Sequence, residues 1–129
     1  MLSMKTFILT MIICFSFMNV IGQHLKATIS KSDSIIWLNA DISRDHRIFG
    51  YTKADTTSKK MILFTSIKNE VEGNPLACPY GSYYETSNMK DMKMKYLSKE
   101  KEFIKAAIIK KDASAETIYI LKKWIEFEK

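Results

Sequence analysis

The sequence predicts a small all-β domain, an antiparallel sandwich or partly open barrel, behind a cleaved signal peptide. Three observations predict the fold. Met92, Met94 and Tyr96 alternate with Lys93 and Lys95, and Thr117, Tyr119 and Leu121 alternate with Ile118 and Ile120; period two puts successive side chains on opposite faces of a strand. β-Branched and aromatic residues concentrate in "SIIWLNADI" (Ser34–Ile42) and "KMILFTSIK" (Lys60–Lys68), and such side chains pack well on a pleated surface. Polar connectors of hairpin length separate the runs.

The first element is the leader. "MLSMK" carries one positive charge, Lys5, and Thr6 to Gly22 carry none, which is the pattern of a secretory signal peptide. Val20 and Gly22 offer modest side chains ahead of a cut between Gly22 and Gln23. A retained anchor needs about 18 consecutive apolar residues, and Ser16 and Asn19 interrupt this run. A lipoprotein would acylate Cys14, but the bulky Ile13 precedes it. The expected product is therefore residues 23–129, secreted or periplasmic, with no membrane anchor. Removing 22 of 129 residues leaves 107, one ordinary domain, and loss of Lys5 lowers the net charge from +6 to +5.

The elements of that domain follow in order. Ser34–Ile42 reads as a strand and "SRDHR" as a charged turn. Arg47–Thr52 and Lys60–Lys68 make a hairpin, the second run continuous enough to be covered on both faces. "EGNPLACPYGSYYETS" (Glu72–Ser87) holds both prolines of the chain and is a long connector. Met92–Tyr96, Glu102–Lys110 and Glu116–Glu128 form a three-stranded meander with turns at "SKEK" and "KDASA", and Lys122-Lys123 breaks the last alternation at a bulge. The alternative is an α+β fold with one helix near 99–111, since Phe103, Ile104, Ala107 and Ile108 also fit a helical stripe. The total is about six to eight strands, as usual strand spacing gives.

Several chemistries are excluded by supply. Cys14 leaves with the leader, so Cys78 has no internal disulfide partner. A structural zinc site takes about four Cys or His ligands; Cys78, His24 and His46 are all that remain. "NEVEGN" (Asn69–Asn74) lacks the alternating oxygen ligands of a calcium loop and reads as an exposed turn. No glycine-rich phosphate loop or nucleophile elbow occurs, and no cofactor is expected. Cys78-Pro79-Tyr80 resembles the start of the glutaredoxin dithiol motif. Gly81 stands at its fourth position, and no proline beyond Pro79 can supply the family's cis-proline, so the resemblance ends at three residues.

What remains is a recognition surface. Tyr80, Tyr83 and Tyr84 sit on a loop stiffened by Pro75 and Pro79, beside Cys78; rings on a stiff loop give contact area at low entropic cost, and the same rings can instead cap the open end of a sheet. Lys93 and Lys95 share one face of their strand within a lysine-rich stretch, Lys90–Lys111. The expected function is an exported, non-enzymatic binding module for a protein or an anionic envelope component, with Cys78, Tyr80, Tyr83, Tyr84, Lys93 and Lys95 as binding residues. Only two residues are Arg, so no specific nucleic-acid partner is expected. The rival readings are a small enzyme with Cys78 as nucleophile and His46 as base, and an inhibitor of a secreted hydrolase.

Overall fold

Burial alternates along the first strands and Met92–Tyr96 and is continuous along Met61–Phe64, and that places the core. The computed structural model describes residues 27–40 and 47–128. The expected leader and its expected cut after Gly22, with Cys14, His24 and the charged turn as far as His46, lie outside the described residues. The first two strands are β1 (Ala27–Ile29) and β2 (Ile36–Leu38). The expected hairpin is β3 (Ile48–Tyr51) with β4 (Lys60–Phe64). After it come a short helix α1 (Lys68–Gly73) and strand β5 (Ser82–Tyr83). The expected meander is β6 (Met92–Glu100), β7 (Phe103–Lys110) and β8 (Ala115–Leu121), and β9 (Ile125–Phe127) closes the order.

These strands form two sheets. One runs β2-β1-β9 and the other β5-β4-β3-β8-β7-β6. Most pairings are antiparallel; the short pairs β1–β9 and β4–β5 are parallel. β2 reaches both edges of the larger sheet without closing it. Ile35 bridges Lys95 beside β6, and Asn39 bridges Glu85 beyond β5. Tyr96 N–H donates to the Ser34 carbonyl at 2.8 Å, and Ala40 N–H to the Tyr84 carbonyl at 2.9 Å. The result is a sandwich that approaches an open barrel around one core of Ile36, Leu38, Ile62, Phe64, Ile108 and Ile118 with their neighbours. Each such side chain contributes about 1.5–3 kcal/mol on burial. Among the described residues no helix is long and apolar enough to cross a membrane.

Residues 99–111 are strand, not helix. Lys99 faces Ile104 and Glu100 faces Phe103 across a tight turn whose Lys101 has φ 55°. Ile104, Ala106 and Ile108 are buried on one face, Phe103 and Ala107 on the other. The apparent helical stripe was the two faces of a doubly covered strand. Conversely, Asn69–Asn74 is no simple turn: most of it belongs to α1, where Glu70 is drawn inward. Lys122–Trp124 is a 3-10 turn rather than a bulge, and it delivers β9 to the other sheet. The register shifts fall instead at Gly50/Tyr51 and Tyr96/Ser98. At Gly50 the strands approach so closely that a Cβ would lie 2.7 Å from Ile62 Cγ2 and 2.8 Å from Ile118 Cδ1.

Candidate functional site

The proline-rich connector is stitched down rather than splayed. Asn74 ends α1 in the left-handed region, φ 42°, a conformation that Asn tolerates. From there its amide accepts from Cys78 N–H and donates to the Cys78 carbonyl, both at 3.1 Å. Gly81 N–H donates back to the Cys78 carbonyl at 2.9 Å, closing a turn over Pro79-Tyr80 with proline at its favoured second position. Tyr80 N–H then reaches the Met61 carbonyl, and Leu63 N–H reaches the Gly81 carbonyl. The Tyr83 hydroxyl donates to the Tyr80 carbonyl at 2.6 Å.

This geometry decides what the loop's side chains can touch. Cys78 is 2% exposed and Tyr80 8%. Burial pushes the Cys78 thiol up, against the opposing pull of the Lys60 charge, so thiolate is disfavoured. Burial likewise raises the Tyr83 phenol. Tyr83 packs against the core and its ring lies 6.2 Å from that of Phe64. Tyr84, at 37% exposed, is the ring of the three that faces outward. Among the described residues no group of three or more His, Cys, Asp and Glu side chains is placed to hold a metal ion.

The lysines make a different site. β6 and β7 pair Met92 with Lys110 and Lys93 with Ile109, so at this end of the hairpin apolar and cationic side chains stand beside each other. Asp91, with φ 60°, turns the chain into β6, and Met89 is buried just before it. Met89, Met92 and Ile109 line a cleft of about 420 Å³ together with Lys93, Lys110, Lys111 and Asp91. Among the described residues none of these three lysines has a carboxylate within ion-pair distance. Lys110 Nζ instead lies 5.1 Å from the Tyr80 ring centroid, a cation–π contact that ties the cleft to the buried loop. Lys95 is exposed on the same strand face as Lys93, outside the cleft lining.

A second depression adjoins it. Alternation in β2 sends Ile36 and Leu38 inward and leaves Trp37 53% exposed. Trp37 lines a shallow recess of about 150 Å³ with Asn39, Glu85, Thr86 and Ser87. A further hollow of about 190 Å³ is lined by Trp37, Thr86 and Ser87 at one end and Met89, Met92 and Lys93 at the other. The middle hollow thus shares Met89, Met92 and Lys93 with the cleft and Trp37, Thr86 and Ser87 with the recess. Sequence reasoning missed Trp37, although the period-two pattern of "IIWLN" already turns it away from Ile36 and Leu38. Met89, Lys110 and Lys111 gave no such signal, because the turn at Asp91 and the β6–β7 register bring them together.

Compared with known proteins, the chain matches no family model, no curated protein and no solved structure.

Proposed function

We propose that the chain is an exported, non-enzymatic binding module for an anionic component of the cell envelope, held at the Met89–Lys111 cleft. The observation that carries this reading is a cleft with an apolar lining and three lysines, none of them within 4 Å of a carboxylate among the described residues. An excess of cations around one cleft raises the local concentration of an anion and speeds its capture, and the methionines in its lining adapt to irregular apolar surface. The net charge, +6 for the full chain and +5 without the leader's Lys5, works in the same direction.

The non-enzymatic part rests on Cys78. Its thiol is buried and its ionisation is opposed by burial, whereas a nucleophilic cysteine needs an electropositive, partly exposed setting. His46, the base in the rival enzyme reading, lies outside the described residues. Retention on an immobilised polyanion tests the binding reading. The wild-type chain is retained and released by salt, and the Lys93→Gln/Lys110→Gln/Lys111→Gln variant passes through with unchanged circular dichroism. Equal retention of both would remove the cleft from the account.

A further inference from the structure

We infer that the anionic component is an acidic glycan, and that Trp37 is the platform on which one of its sugar rings stacks. The inference rests on the reading of the lysine cleft as an anion site and adds the chemical class of the ligand. Its own basis is the recess around Trp37. β2 runs antiparallel to β6, and the Ile35–Lys95 bridge, continued along both strands, brings Trp37 level with Lys93. Both side chains are exposed, and both line the middle hollow. An outward indole thus stands next to the strand face that carries Lys93 and Lys95.

The surroundings of the indole select among ligands. Asn39, Glu85, Thr86 and Ser87 share its recess. Thr86 Oγ1 is engaged with Leu38, whose N–H donates to it at 3.2 Å. The side chains of Asn39, Glu85 and Ser87 have no hydrogen-bond partner among the described residues, and neither has the Trp37 ring N–H. They offer an amide, a carboxyl and a hydroxyl in the same recess as the indole. A pyranose has an apolar face of C–H groups and an equator of hydroxyls. Its C–H face fits an electron-rich indole, and its hydroxyls fit donors and acceptors placed at the edge. An acyl chain in the same place would bury those polar groups without partners, at a cost in free energy. An acidic sugar supplies both features, with one ring on Trp37 and a neighbouring carboxylate at Lys93.

Three probes separate the contributions. Oligogalacturonate carries ring and charge, its methyl ester carries the ring alone, and poly-L-glutamate carries charge alone. Affinities for the full chain are measured calorimetrically at low salt. The expected result is that Trp37→Ala weakens oligogalacturonate by about tenfold and poly-L-glutamate by less than about twofold. Trp37→Phe restores most of the loss, and Lys110→Gln/Lys111→Gln weakens both acidic probes. Trp37 is exposed, so its replacement leaves the thermal midpoint in place. If Trp37→Ala leaves oligogalacturonate binding unchanged, or if single-stranded DNA binds more tightly than the uronate, the glycan assignment is wrong while the anion site stands. If the wild-type chain binds neither acidic probe, the anion site falls and takes the glycan with it.

Discussion

Arg47 Nε donates to both carboxylate oxygens of Glu70, at 2.9 and 2.7 Å, and fastens α1 to the start of β3. The Thr65 hydroxyl adds a third bond to Glu70 at 3.1 Å. The Glu70 side chain is 11% exposed and that of Arg47 51%, so the pair is unequal. Removing Glu70 leaves a cation in contact with water. Removing Arg47 leaves a nearly buried carboxylate without its main partner. Glu70→Gln is expected to cost about 1.5–3 kcal/mol in urea unfolding at pH 7, and Arg47→Ala more, because the stranded group is the buried one.

The same pair sets an acid limb. The Arg47 hydrogen bond, opposed by burial and aided by Thr65, holds the Glu70 carboxyl below its ordinary value of 4.5. A depressed folded-state pKa contributes stability above the unfolded value and loses it as pH falls through the folded one. The difference in unfolding free energy between wild type and Glu70→Gln should be full at pH 7 and shrink as pH drops below about 4.3. A difference independent of pH would mean that Glu70 contributes through packing rather than charge.

Gly50 is expected to tolerate no side chain at ordinary cost. Its would-be Cβ meets Ile62 and Ile118 at under 3 Å, and overpacking of this kind costs about 1–3 kcal/mol. Ile118→Val removes the Cδ1 that lies 2.8 Å away. The double variant Gly50→Ala/Ile118→Val should therefore be more stable than the sum of the single losses predicts, as read by denaturant midpoints.

Two neighbouring tyrosines should respond in opposite directions. The buried Tyr80 hydroxyl has no hydrogen-bond partner among the described residues, while Tyr83 donates to the Tyr80 carbonyl. Tyr80→Phe is expected to be neutral or to raise the thermal midpoint, since it deletes an unpaired buried group. Tyr83→Phe is expected to cost about 0.5–1.5 kcal/mol. A loss at Tyr80 matching that at Tyr83 would place a bound water at its hydroxyl.

Cys78 should be inert in the native chain. Iodoacetamide is expected to label it at least about 100-fold more slowly than in urea, following the opening of the loop rather than the chemistry of a poised thiolate. Native labelling as fast as that of a free thiol would return Cys78 to the list of reactive groups.

Alternation carried most of the fold into the sequence. The β3–β4 hairpin forms as its apolar runs predict, and the β6–β8 meander forms as read as far as Leu121, where the expected last strand instead breaks and its end, β9, joins the other sheet. What stayed hidden was short or non-local. β1, β5 and β9 are 2 or 3 residues long and owe their state to partners far along the chain. α1 forms where Arg47 and Thr65 pull Glu70 inward, a contact that no local pattern encodes. At the site, the exposure of Lys93 was legible from strand parity. The burial of Cys78 and Tyr80 was not, because it depends on Asn74 folding the loop against β4. Trp37 was legible by the same parity rule, but its place beside Lys93 depends on β2 crossing to the edge of β6.

The central claim is that unpaired lysines at the end of β6–β7 bind an anion. The most direct test is the salt dependence of poly-L-glutamate affinity for the wild-type chain and for Lys93→Gln/Lys110→Gln/Lys111→Gln. Exposed charges are screened within about 8 Å at physiological ionic strength. The account predicts that wild-type affinity falls steeply with added salt, and that the triple variant binds weakly with a shallow slope and an unchanged thermal midpoint. The same affinity and the same slope in both proteins would contradict it.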